Sequence, residues 1–278
     1  MDYFWLCLSA FLAGGVNALA GGGTLLTFPT LIGVLGPQFG NAAAGVLANG
    51  TSTTALVPAS LGSAWGFRRE LYHLRRFLVW LLPPSMFGAT IGTLLVTRLP
   101  PEYFNRLVPW LILTAAVLFT LQPYLTKRRP HVVASDKPEG EVCDSGTPIP
   151  RHRLAGMIVL QLLIAIYGGY FGAGIGILML TGLGFMGLSN IHQMNGLKSV
   201  LGTAINGVAV AIFVYEDTVG GKNTIEWPYA LAMMATSVVG GFVAAHYSRQ
   251  VPGKYVRWLV IVVGFCLAAY YFWKQFGS

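Results

Sequence analysis

The sequence predicts an all-α polytopic membrane protein of two homologous repeats, each of about four helical segments, with the first segment of each repeat broken at glycines. Three observations carry that expectation. Of 278 residues, 54% are hydrophobic and only 10% are charged, with a mean hydropathy of +0.61. A soluble domain carries about 25% charged residues, so this chain is too poor in charge to face water over its whole surface. Apolar runs also recur from end to end. Finally, the chain matches itself without gaps at an offset of 151 positions, which places Gly21 on Gly172, Gly23 on Gly174, Gly45 on Gly196, Arg98 on Arg249 and Pro101 on Pro252.

The first element, residues 3–36, would be roughly 50 Å long as a single helix at 1.5 Å per residue. A hydrocarbon core is about 30 Å thick, and "AGGGT" interrupts the run near its middle. Two helical pieces joined at Gly21-Gly22-Gly23 satisfy both facts. Three ordinary spans follow at 42–65, 77–97 and 104–125, completing a first repeat over 1–125. Residues 126–153 are hydrophilic and rich in Pro, Gly and charge, as a linker is. The second repeat, 154–278, opens with another overlong run, 154–187, broken at "YGGYFGAGIG". Spans at 192–214, 228–248 and 255–274 complete it.

The orientation of the repeats depends on the breaks. If each broken segment crosses fully, each half crosses four times and the halves are parallel. If it returns as a hairpin, each half crosses three times and the halves are inverted. Hairpins put Arg68, Arg69, Arg75, Arg76, Lys127, Arg128, Arg129, Lys137, Arg151, Arg153, Arg249, Lys254 and Arg257 on one side, and leave Arg98, Arg106, Lys222 and Lys274 on the other. Full crossing gives a slightly weaker asymmetry, so the positive-inside rule favours inversion by a thin margin. Both arrangements make the linker cytoplasmic.

The formal charge of +8 does not imply nucleic acid, because the basic residues sit in short clusters between apolar runs rather than in a stripe. Cys7, Cys143 and Cys266 form neither a disulfide framework nor a metal spacing. The five histidines show no zinc spacing. "GAGIG" does not follow a strand, so it is no dinucleotide fingerprint. The start, "MDYFWLCLSAFLAGG", has no basic region of the kind a cleaved signal carries. No metal, cofactor or enzymatic constellation is implied.

Lys198 stands out within an expected span, "HQMNGLKSVLGTAIN". A lysine at membrane depth marks a ligand path or a paired charge, or else snorkels to the interface. Asp2, Glu70, Glu102, Glu216, Asp217 and Glu226 all fall at span ends or in loops, so no carboxylate lies deep enough to neutralise it. That points to an anionic ligand. His192, Asn195, Ser199 and Asn206 recur at helical spacing around it, and the equivalent helix of the first repeat offers Asn49 and Thr51, with Ser52 and Thr53 beside them. Such groups donate to oxyanions, and they also glue membrane helices together. The breaks add Gly21, Gly22, Gly23 and Thr24, and in the second repeat Gly172, Ala173, Gly174 and Gly176. A helix starting there presents free N–H groups and a positive dipole end. The alternative is that the small residues only permit tight crossings.

These stretches resemble the sulfite exporter TauE/SafE family, also called the toluene-sulfonate uptake permease family. The resemblance rests on "AGGGTLLTFPTLIGVLG", "GSAWGFRREL" and "GGYFGAGIGILMLTGLGFMGLSNIHQMNGLKSVLGTAINGVAVAIF", and it covers nearly all of the chain outside the linker. It implies a bundle of about eight membrane segments that moves small sulfur-containing or organic anions. The function expected is a secondary transporter or facilitator in the bacterial inner membrane, exporting sulfite, thiosulfate or an organosulfonate such as sulfoacetate. An anion channel and a proton-coupled uptake permease are the alternatives. The expected partners are the anion and the lipid bilayer, and a homodimer is one assembly the sequence allows.

Overall fold

The computed structural model describes residues 1–19, 21–66, 74–127, 151–185, 191–247 and 253–276. Most of the expected linker, the basic stretch 67–73 and Arg249 lie outside the described residues. All regular structure among them is helical: α1 (Asp2–Leu19), α2 (Thr24–Gly66), α3 (Arg75–Arg98), α4 (Pro101–Lys127), α5 (Arg151–Tyr170), α6 (Ile175–Phe185), α7 (Ile191–Thr218), α8 (Trp227–Tyr247) and α9 (Gly253–Phe276).

Within the described residues, three stretches are long and apolar enough to cross a bilayer: Phe77–Arg98, Gln193–Thr218 and Trp227–Ala244. Shorter apolar helices cover Leu154–Tyr170, Ile175–Gly184 and Ile261–Trp273. The expected span 42–65 is part of α2 and carries the polar run Asn49–Thr54, which lowers its apolarity.

The chain reverses twice before it reaches α3. After α1 ends at Leu19, Gly21 adopts φ 75°, a conformation that costs an L-residue roughly 1–2 kcal/mol. A Cβ at Gly23 would collide with the Ala13 carbonyl oxygen, so α2 starts alongside α1 rather than continuing it. The second reversal is at Gly40 (φ 80°, ψ 150°) inside α2. There the Thr27 and Ser52 hydroxyls hydrogen-bond to each other, although a straight helix would hold them roughly 37 Å apart. Sequence patterning treats 42–65 as a separate span but gives no sign that it lies antiparallel to the segment just before it.

The two ends of the bundle are chemically distinct. At one end the Tyr3 and Tyr229 rings stack edge-on at 5.0 Å, and Gln38 reaches Tyr229. Buried Glu216 at this end pairs with Arg98 at 2.8 Å and Lys222 at 3.2 Å. The connection 219–226 straps this end. The Asp217 carboxylate pins the strap by accepting from the Thr224 and Ile225 amides and the Trp227 indole N–H. At the opposite end α2 stops at Gly66, α4 at Lys127, and α3, α5 and α7 begin.

Packing crosses the middle of the chain. The helices α1 and α8 pack most extensively, followed by α3 and α5. At the first crossing, a Cβ on Gly14 would strike the Ser237 backbone and one on Gly240 the Phe11 backbone. At the second, Gly92 and Gly169 stand equally close to the backbones of Ile166 and Ala89. Small residues allow such approach where no hydrophobic force separates helices from lipid. Buried polar bonds fix the registers: Gln161 donates to Ser85 at 2.8 Å across α3–α5, and Ser237 donates to the Ala55 carbonyl at 2.7 Å across α8–α2.

Candidate functional site

The two glycine-rich connections meet at the centre of the bundle. Gly172 and Gly174 take φ of 76° and 75° between α5 and α6. The Gly176 N–H, in the first turn of α6, donates to the Gly21 carbonyl at 3.2 Å. The approach is close: a Cβ on Gly21 would sit 2.9 Å from Gly176 Cα and 3.6 Å from Lys198 Nζ. The lysine ammonium therefore rests against the point where the connections touch.

Lys198 is 5% exposed. Among the described residues it has no carboxylate partner and donates no hydrogen bond. It faces a cavity of about 30 Å³, room for little more than ordered water. Gly21, Ile175, Gly176 and Met179 form part of the wall, and Asn17, Ser60, Ser63, Ser199, Thr203 and Asn206 supply its polar groups. Asn17 donates to Ser60 at 2.9 Å. The Ser63 and Ser199 hydroxyls share a hydrogen bond at 3.1 Å, and Thr203 donates to the Ser60 carbonyl at 3.0 Å. This cavity lies between the meeting connections and the end of the bundle where α2 stops. It joins one cation to hydroxyl and amide donors, the combination that holds a small oxyanion.

Of the residues singled out from sequence, Gly21, Gly176, Lys198, Ser199 and Asn206 line this cavity. Asn195 sits on α7 outside its wall. His192 begins the same helix, but its side chain lies outside the described residues. Gly22, Gly23 and Thr24 precede or open α2. Their N–H groups donate to no described acceptor, while the Gly22 and Gly23 carbonyls accept from Leu25 and Leu26. Gly172 and Gly174 likewise accept from Ile175 and Ile177, and the Ala173 carbonyl accepts the Tyr167 hydroxyl at 2.7 Å.

Asn49 and Thr51 are not among the residues lining this cavity. The Asn49 amide donates to the Tyr170 carbonyl at 3.0 Å, although its own Oδ1 is buried with no partner. The Thr51 hydroxyl accepts the Glu226 N–H at 2.9 Å. Sequence reasoning missed Asn17, Ser60, Ser63 and Thr203. Asn17 carries a faint signal, being one turn before Gly21; the other three resemble ordinary helix glue.

Comparison with known proteins places the chain in a family. The family model for the sulfite exporter TauE/SafE matches residues 6–271. A probable membrane transporter protein of Haemophilus influenzae is 26% identical over 267 residues, covering 93% of this chain and 90% of that protein. Probable membrane transporter protein ORF9 of Sinorhizobium sp is 24% identical, covering 95% and 90%. Probable membrane transporter protein YfcA of Escherichia coli K12 is 22% identical, covering 97% and 89%. No solved structure matches the chain significantly. The chain belongs to the sulfite exporter TauE/SafE family, and it is a multi-pass membrane transporter rather than an enzyme.

Proposed function

We propose that this TauE/SafE family member is a secondary transporter or facilitator that exports a small sulfur-containing anion across the inner membrane. Sulfite, thiosulfate and organosulfonates such as sulfoacetate are the candidate substrates. The observation that carries this is Lys198: a buried ammonium without a carboxylate partner among the described residues, facing hydroxyl and amide groups. A cation at that depth is costly unless a ligand or partner compensates it. The small cavity volume is that of a contracted site, which widens to admit the anion.

An inverted repeat is part of this proposal, since such repeats are typical of secondary transporters. Each element of 1–125 has a counterpart in 154–278 at the 151-residue offset, and packing is reciprocal: α1 with α8, α3 with α5. In this reading the reversals at Gly21 and Gly40 leave the first half with an odd number of passes, so that the second half is inverted relative to it. Arg75, Lys127, Arg151 and Lys254 then share one end, and Arg98, Lys222 and Lys274 the other, so the end holding the linker is cytoplasmic.

Outward movement of such an anion needs no coupled ion, because an inside-negative potential supplies about 2.3 kcal/mol per charge per 100 mV. Glu216, buried within the described residues, is held by Arg98 and Lys222 and is poorly placed to relay protons. Counterflow in liposomes with sulfite, thiosulfate, sulfoacetate, taurine and acetate tests the proposal. Saturable counterflow of a sulfur oxyanion is expected; single-channel currents would replace the transporter with a channel, and acetate preference would remove the sulfur selectivity.

A further inference from the structure

The polar cavity lies on one side of the contact between Gly21 and Gly176, and aromatic rings fill the other. Phe28 meets Phe171 edge-on at 5.1 Å and 84°. Phe104 closes the triangle at 6.1 Å from Phe28 and 6.2 Å from Phe171, and Tyr170 tilts over Phe104 at 5.5 Å. All three phenylalanines are buried. Two of them hang from the segments that carry the glycine connections: Phe28 is one turn into α2, and Phe171 directly precedes Gly172.

Beyond this cluster lies the strap end of the bundle. A Cβ on Gly50 would stand 3.2 Å from the Phe213 ring and would strike the Thr224 carbonyl of the strap. Phe28, Phe104 and Phe171 belong to one buried apolar cluster with Phe213 and with Ile225 of the strap, beside the hydrogen-bonded Asn49 and Thr51. The proposed repeat relates this cluster to the cavity. At the 151-residue offset, the cavity positions Met179, Lys198 and Asn206 fall on Phe28, Leu47 and Ala55. At these three positions thioether, charge and amide on the cavity side have ring and aliphatic counterparts on the other, whereas Gly202 and Thr203 fall on the polar Thr51 and Ser52.

We propose that Phe28, Phe104 and Phe171 form the outer gate of the Lys198 site, and that the structure holds this gate shut. The proposal rests on the reading of that cavity as the transport site. Opening requires the rings to part. Because Phe28 and Phe171 are mounted beside the connections that flank the anion, a ligand that wedges Gly21 from Gly176 also pulls on the seal.

Sidedness of labelling tests the gate without any substrate. Cys7, Cys143 and Cys266 are replaced by serine, Ser60→Cys is introduced into the cavity, and a membrane-impermeant anionic methanethiosulfonate is applied to right-side-out or inverted vesicles. With the gate intact, labelling from the outer face is slow. Phe28→Ala or Phe171→Ala should raise the outer rate at least tenfold (an order-of-magnitude threshold set by the 1.4 kcal/mol per decade of an opening equilibrium) and leave the inner rate unchanged. If alanine does not yield folded protein, leucine at the same position is compared in the same way. An outer rate unchanged in folded variants at both positions overturns the gate. Failure of the anion site reads out separately, as undiminished flux in Lys198→Met.

Discussion

Replacing Lys198 by methionine separates a ligand cation from a structural one. Methionine keeps most of the aliphatic stem and removes the ammonium that rests against Gly21. A hydrogen bond from a charged group contributes about 1.5–3 kcal/mol. At 1.4 kcal/mol per tenfold, anion affinity is expected to fall roughly 10- to 150-fold. Ligand-free stability should move the other way. The ammonium is 5% exposed without a carboxylate partner among the described residues, so an apolar replacement is neutral or stabilising. Thermal melts of purified protein titrated with sulfite, thiosulfate or sulfoacetate read both quantities in one experiment. Wild-type affinity in Lys198→Met would refute the charge role, and a lower ligand-free melting temperature would reveal a structural cation instead.

Four further outcomes are expected. Gly21→Ala places a Cβ at φ 75°, 2.9 Å from Gly176 Cα, and should cost about 2–4 kcal/mol from left-handed strain and overpacking together; an unchanged melting temperature would sink that estimate. At the strap end, Arg98→Gln with Lys222→Gln leaves Glu216 buried without its partners, whereas Glu216→Gln removes the buried charge itself. The double variant should therefore melt lower than the single one, and the reverse order would show that the carboxylate is effectively solvated. Ser85→Ala takes the acceptor from the buried Gln161 amide and should cost about 1–3 kcal/mol, measured by denaturation; no loss would mean the amide finds another acceptor. In liposomes, an imposed inside-negative potential of 100 mV should support an outward anion gradient of roughly 50-fold for each negative charge moved, from about 2.3 kcal/mol per charge; flux indifferent to potential would require an electroneutral mechanism.

The parts of the site visible in the sequence were those that break a local rule. A lysine in an apolar run and glycines in the middle of overlong segments have a cost that must be offset somewhere, and Lys198, Gly21 and Gly176 duly meet. Hydroxyls and amides break no such rule, since membrane helices use them freely. Thus Ser60 and Thr203, which face the cavity, could not be told from Asn49 and Thr51, which bond to the Tyr170 carbonyl and the strap. Deciding among them requires the path of α2, and that depends on Gly40. Nothing in the sequence distinguishes Gly40 from nearby glycines, yet its φ of 80° decides which face of 41–66 meets α7. The helical class was legible because scarcity of charge and long apolar runs leave few alternatives; the antiparallel fold of α2 was not, because a single dihedral angle sets it.

The exchange of partners between the two halves also sets an order of events during synthesis. When α1 leaves the ribosome, its main packing partner, α8, is more than two hundred positions from being made. Helix α3 must likewise wait for α5 across the linker. Early helices therefore enter the membrane with their close-packing glycine faces against lipid, and final assembly comes only after Trp227–Tyr247 has emerged. Two polypeptides divided within 128–150 should reassemble when made together, while neither should persist when made alone.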